Sequence, residues 1–148
     1  MKPTKIFFIL VLITFKNCQV MDEKHQRREI IKDYIKSYNE NNIEGMLTHL
    51  HQDIVFENYS DGVLSHRTEG KEAFKEKTES AKACFESREQ KLEVWNFSDD
   101  EVKVNISYNT VLATDLPNGM KKGDTLQLQG VSKFYFRDGK IAKIVDES

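Results

Sequence analysis

Between Asp22 and Tyr38 the apolar residues fall at Ile30, Ile31, Tyr34, Ile35 and Tyr38, the three-and-four spacing of one helix face, with charged residues filling the other side. The pattern predicts an amphipathic helix with two tyrosines on its buried stripe. Asn39-Glu-Asn-Asn42 interrupts it, and Asn41 with Glu44 three residues on has the form of a capping start. A short second helix over Ile43–Leu50 follows, with Ile43, Met46, Leu47 and Leu50 facing inward. Ile54–Asn58 is β-rich and of strand length, whereas the polar stretch Tyr59–Glu69, containing Asp61-Gly62, reads as a loop. A third helix opens at Gly70, with Phe74, Thr78, Ala81 and Phe85 as its stripe and the mixed charges of residues 70–90 as a solvated face.

Beyond residue 90 the period changes from helical to two. Lys91–Phe97 predicts one strand; Val102, Val104, Ile106 and Tyr108 share one face of the next, across a turn at Asp99-Asp100. Thr125–Arg137 forms a long strand with a bulge expected at Gly130, and Asp138-Gly139 is a hairpin signal into Lys140–Asp146. Three helices, the third crossing over, followed by an antiparallel meander make an α+β domain over residues 22–148.

Length and composition narrow the function classes. A chain of 148 residues supports one hydrophobic core, and 39% hydrophobic with 31% charged residues is a soluble globular balance. With 22 basic and 24 acidic residues the formal charge is −2, so no basic field makes nucleic acid an expected partner. The first eighteen residues distort that figure. Met1-Lys-Pro-Thr-Lys5 precedes an apolar run, Ile6–Phe15, which has the form of a secretory signal and is well short of the roughly 20 residues of a spanning helix. Taking away Lys2, Lys5 and Lys16 with residues 1–18 turns −2 into −5. The expectation is an exported protein, periplasmic or secreted. Cys18, just after the apolar run, offers the alternative of a bacterial lipoprotein leader with a lipid anchor there. Cys84 falls on the stripe of the third helix and reads as a small buried hydrophobe, since no adjacent base or cation would activate it.

The order of elements, together with the segments Tyr34–Gly45, Leu50–Asn58, Glu69–Phe74 and Phe134–Ile141, resembles the nuclear transport factor 2-like superfamily in its SnoaL-like and steroid isomerase-like branches. The resemblance implies a curved antiparallel sheet wrapped around helices, forming a cone with an interior apolar pocket, and a homodimer packed through the outer sheet face. In the ketosteroid isomerases a tyrosine on the first helix and a protonated Asp on a late strand form the oxyanion hole, and an Asp at the end of the first strand moves the proton. Tyr34 falls on the tyrosine's position. The base position is Asn58, which cannot accept and return a proton at neutral pH, and the oxyanion acid's position is Ser132. Steroid isomerisation by that mechanism is therefore disfavoured.

The resemblance and the strand parity together give an expected lining: Tyr34, Tyr38, Phe56, Trp95, Tyr108, Phe134 and Phe136 as aromatic walls, with Tyr34, Asn58, Ser132 and Asp146 as polar points. Asp146 shares a strand face with Ile144. In an apolar cavity it would be a general acid or base; at a fraying chain end it would simply be solvated. His49, His51 and Asp53 invite a metal reading, but their spacing matches no ligand motif, so no metal is expected. His51 and Asp53 are placed near the open end of the cone. The absence of a Gly-rich phosphate loop, a Ser/His/Asp arrangement or a Cys-x-x-Cys pair argues against phosphoryl transfer and redox chemistry, and no cofactor is expected. The leading expectation is a non-catalytic binder of a small, mostly apolar molecule. The alternatives are a lyase or isomerase with Asp146 as base and Tyr34 as hydrogen-bond donor, and a structural dimer or partner-interaction module.

Overall fold

In a computed structural model that describes residues 22–148 in full and only the backbone of residues 4–21, the chain runs α1 (Thr4–Asn39), α2 (Ile43–Thr48), β1 (Leu50–Ser60), β2 (Val63–Glu69), α3 (Lys71–Lys82), β3 (Phe85–Phe97), β4 (Glu101–Leu112), β5 (Thr125–Arg137) and β6 (Lys140–Glu147). The export leader expected over residues 1–18, with Cys18, falls outside the fully described residues. α1 starts before Asp22 because no Gly or Pro breaks the helix between Lys5 and Asn39. Among the described residues no helix is long and apolar enough to cross a membrane.

All six strands join one curved sheet in the order β2-β1-β6-β5-β4-β3. Every neighbouring pair is antiparallel except β1 and β6, which run parallel. That pair is not joined by a hairpin: the chain leaves β1 through β2 and α3 and returns only after three more strands, so the direction is free to be parallel. The two hairpins at the ends of β1–β2 and β5–β6 turn on Asp61-Gly62 and Asp138-Gly139, both residues of each having positive φ. That conformation matches the right-handed twist of paired strands.

Five local expectations are corrected. The loop expected over Tyr59–Glu69 is the β1–β2 hairpin; β2 is an edge strand with few buried residues, so its sequence is polar enough to read as loop. The cap of α2 is Asn42, whose Oδ1 accepts from the Gly45 N–H at 3.0 Å, while Asn41 sits before it at φ 55°. α2 ends at Thr48, and the buried Leu50 belongs to β1. α3 stops at Lys82, so Cys84 lies half-buried in the turn beyond the helix and Phe85 opens β3. At Gly130 the pairing of β4 with β5 passes unbroken, with Gly130 opposite Ile106. A Cβ there would meet the Glu147 carbonyl oxygen at 2.6 Å, so glycine serves close backbone approach instead of a bulge.

The helices pack on the concave side of the sheet. Ile31, Tyr34 and Ile35 of α1, Met46 and Leu47 of α2 and Phe74 of α3 meet Ile54, Val102, Val104, Phe134, Ile141 and Ile144 of the strands in one buried cluster. The convex face is polar: Glu57 is buried between Arg67 and Lys143, Tyr135 donates to Glu101, and Lys133 pairs with Glu147.

The end of α1 is fastened to the sheet by one side chain. Asn39 Nδ2 donates to the Gln90 carbonyl at 2.9 Å and its Oδ1 accepts from the Gln90 N–H at 2.8 Å. Gln90 lies on β3, an edge strand of the sheet, so the carboxamide supplies the partner that the strand lacks there. Asn39→Ala leaves both backbone groups of a half-buried residue without partners. It should lower stability by about 1–3 kcal/mol in urea denaturation, whereas a loss under about 0.5 kcal/mol would show that water replaces the amide freely.

Candidate functional site

Strand register builds the site. Reading across the sheet, His66 pairs with Asn58, Asn58 with Asp146, Asp146 with Ser132, Ser132 with Val104, and Val104 with Trp95. Residues directly paired across strands share a face, so this single row crosses all six strands on the concave side. The neighbouring row, Thr68–Phe56–Ile144–Phe134–Val102–Phe97, is apolar on every strand except β2. Both rows border the hollow of the cone, the first through His66, Asn58, Asp146 and Ser132 and the second through Thr68, Phe56, Ile144 and Phe134.

The hollow is a cavity of about 520 Å³ between the sheet, α1 and α3. Ile35, Met46, Phe56, Phe74, Phe85, Ile106, Phe134 and Ile144 make most of its wall. Its rim carries the exposed Ser60, Ser65, Lys77 and Ser148. A volume in the range of roughly 300–1,000 Å³, apolar walls and a few convergent polar groups are the features of a small-molecule site.

Asp146 lies in the wall of this cavity and accepts a hydrogen bond from Ser132 Oγ, its partner across the β5–β6 pair. Burial pushes its pKa up to about 6, against the lowering effect of the Ser132 hydrogen bond. The carboxyl is therefore not a solvated chain end. Tyr34, 5% exposed, has its hydroxyl pKa raised well above the ordinary value by burial first, with the negative charge of Asp146 adding to the shift and Arg88 opposing it. Tyr38 is shifted up for the same leading reason, with Tyr108 next to it. Both hydroxyls stay protonated and able to donate. Asn58 is committed elsewhere: its Nδ2 donates to Ser65 Oγ at 2.8 Å, on the adjacent edge strand.

Of the aromatic walls expected from the sequence, Tyr34, Tyr38, Phe56, Tyr108 and Phe134 line the cavity, as do Asn58, Ser132 and Asp146. Two do not. Trp95 stands in the polar row but is covered by α1: it stacks on Phe97 at 5.9 Å and carries the Arg28 guanidinium on its face at 4.7 Å. Phe136 lies past a register shift in the β5–β6 pair, beneath Arg27 of α1. His51 and Asp53 sit at the far end of β1 from Asn58, where Arg137 reaches both, and neither borders the cavity. They belong to the end of the β5–β6 hairpin, not to the cone's mouth. Among the described residues no group of three or more His, Cys, Asp and Glu is arranged to hold a metal ion.

Arg88 and His66, outside the expected lining, bring unpartnered polar atoms to the cavity. Arg88 of β3 is 7% exposed, with its guanidinium 4.1 Å from the centre of the Tyr38 ring, and its Nε and Nη2 have no hydrogen-bond partner. His66 of β2 borders the cavity with an unpartnered Nε2, and burial, reinforced by Lys77, pulls its pKa down. Reading residues 70–90 as one helix hid Arg88 among solvated charges. The signal that places it inside is alternation: Arg88, Gln90 and Leu92 pair with Thr110, Tyr108 and Ile106 of β4, so all three face inward with Ile106 and Tyr108.

Comparison with known proteins agrees with this geometry. A SnoaL-like domain profile matches residues 31–144. Among solved structures, the chain is similar to a putative polyketide cyclase from Xanthomonas campestris pv. campestris, at 23% identity and a TM-score of 0.67, covering 84% of this chain and 90% of that one. It is also similar to TerC co-crystallised with polyporic acid, at 20% identity and a TM-score of 0.65, covering 82% and 89%. A protein of ketosteroid isomerase-like fold from Catenulispora acidiphila, in complex with trimethylamine, matches at 14% identity and a TM-score of 0.65, covering 80% and 83%. No curated protein matches the chain. With a cone-shaped fold, a hollow lined from both sheet and helices, and a profile match spanning most of its length, the chain belongs to the SnoaL-like domain family.

Proposed function

We propose that this protein binds a small, mostly apolar molecule carrying one or two oxygens in the interior of its cone. The observation that carries the reading is the 520 Å³ cavity, whose largely apolar wall is interrupted by the hydrogen-bonded Asp146–Ser132 pair. Structures of the same fold with polyporic acid and with trimethylamine support it by analogy. A purely structural module would be better served by a filled cone beside an apolar outer face, and here the outer face carries the Glu57, Tyr135 and Lys133 pairings. We also propose export, on the basic start and apolar run of residues 1–18, and a homodimer through the outer sheet face, on the family resemblance; the ion pairs there make such a contact a polar one.

A second reading, acid-base catalysis, is favoured by one observation. Asp146 titrates near 6, close enough to neutrality to accept and return a proton, while Tyr34 stays protonated nearby. In that reading Asp146 takes a proton from carbon next to a carbonyl and the Tyr34 hydroxyl stabilises the enolate oxygen.

The binding reading is tested by thermal shift with 2-naphthol, 1-tetralone and their saturated analogues. Saturating ligand at about 100 times Kd adds about 2.7 kcal/mol, which raises Tm by several degrees. A Tm unmoved by every compound would remove the reading.

The carboxyl has its own signature. Because its folded pKa, about 6, lies above the ordinary 3.8, the folded state holds the Asp146 proton more tightly than the unfolded chain. Stability is therefore intact below about pH 4, falls as pH rises between about 4 and 6, and stays reduced above that, by on the order of 3 kcal/mol. Asp146→Asn removes the penalty and loses part of a hydrogen bond. It should be more stable than the wild type at pH 7.5, by on the order of 1–2 kcal/mol in urea, with the gain vanishing by pH 4. A difference that does not vary with pH would mean that the carboxyl titrates normally. Should a ketone that binds also be turned over, Asp146→Asn is expected to slow it by about a hundredfold or more while near-UV circular dichroism stays unchanged.

A further inference from the structure

Arg88 poses a physical problem that the binding of a merely apolar molecule does not solve. A guanidinium cannot shed its charge, and taking it out of water is costly unless an acceptor or counter-charge meets it. Here the residue is 7% exposed and lines the cavity, yet Nε and Nη2 have no acceptor, and no carboxylate of the described residues forms an ion pair with it. Its neighbours on the strand give no relief: Glu89 alternates to the outer face, where it pairs with Lys91 at 3.6 Å. What the fold does provide is a seat, because the guanidinium lies over the Tyr38 ring with its carbon 4.1 Å from the ring centre.

We propose that Arg88 anchors a carboxylate, and that the ligand class is an apolar monocarboxylic acid whose body fills the cone. This rests on the pocket reading above and names its substrate class. One buried guanidinium matches one negative charge. A planar fork with two donors lacking acceptors fits the two oxygens of a carboxylate, whereas a phosphate dianion would call for more buried donors than this apolar wall supplies. Lys77, exposed at the rim, adds a second positive charge on the way in.

The test compares two probes of equal shape, naphthalene-2-carboxylate and naphthalene-2-carboxamide, by titration calorimetry at pH 7.5 on the wild type, Arg88→Met and Arg88→Lys. In the wild type the carboxylate should bind at least about tenfold more tightly than the carboxamide. Arg88→Met should erase that preference by weakening the carboxylate at least about tenfold more than the carboxamide, and without either probe it should melt no lower than the wild type, since no hydrogen bond or ion pair is lost. Arg88→Lys keeps the charge but not the fork and should cut the preference several-fold, which carries the comparison should the methionine variant fail to fold. Equal affinity for the two probes in the wild type, or a preference that survives both substitutions, overturns the assignment and leaves the pocket reading standing. Failure of both probes to bind removes the pocket reading and this one together.

Discussion

The geometry of the cone depends on where α1 ends against β3, and that is set by the Asn39 carboxamide bonded to both backbone groups of Gln90. α1 reaches the sheet through large residues, Ile31, Tyr34 and Ile35, whose packing prevents collapse onto the strands on one side. Asn39 fixes the other side at an edge strand. Between these two attachments the helix bridges the curve of the sheet without filling it. A helix free to slide toward β5 would bring Tyr34 and Tyr38 down onto Ser132 and Leu128 and close the space, since interiors otherwise pack to near crystal density.

Inside, the polar groups are arranged as two ends of a field. At one end stand Arg88 and Tyr38; at the other, Asp146 and Ser132; Tyr34 lies within reach of both charges, as the opposing influences on its hydroxyl show. The ends differ in how they bear their burial. The carboxyl is relieved by a raised pKa and one donated hydrogen bond, so it can exist neutral. The guanidinium has no neutral form to retreat to. A molecule entering the cone therefore meets one group that can adjust to it and one to which it must adjust.

Much of this was legible in the residues. The period of 3.6 in Ile30–Tyr38 and the period of two from Val102 to Tyr108 fix which faces turn inward, and the Asp138-Gly139 turn sets the phase of β6, from which Asp146 follows. The resemblance then supplied what periodicity cannot, namely that the sheet curves enough to leave a hollow. The failures have physical causes. β2 pairs on one side only and buries little, so its sequence carries no apolar alternation. β3 starts directly after a two-residue turn, so Phe85 continues the helical spacing by coincidence and Arg88 inherits the wrong surroundings. Trp95 has the right parity, but only the tertiary path of α1 decides that it is covered.

The row His66–Asn58–Asp146–Ser132–Val104–Trp95 has a consequence for how this protein can go wrong. Because the side-chain period of a strand is two, a one-residue slip of β6 would turn Val145 or Glu147 into the cone and send Asp146 to the outer face among Lys133 and Lys143. Such a slipped form would retain six strands and most of its ladder, yet the Asp146–Ser132 pair would be broken and the cone would hold either no carboxyl or a longer one. Pairing fidelity and chemical competence are thus one property in this chain. Gly130 leaves the Glu147 carbonyl the room it takes in this register, where a Cβ would stand 2.6 Å from that oxygen.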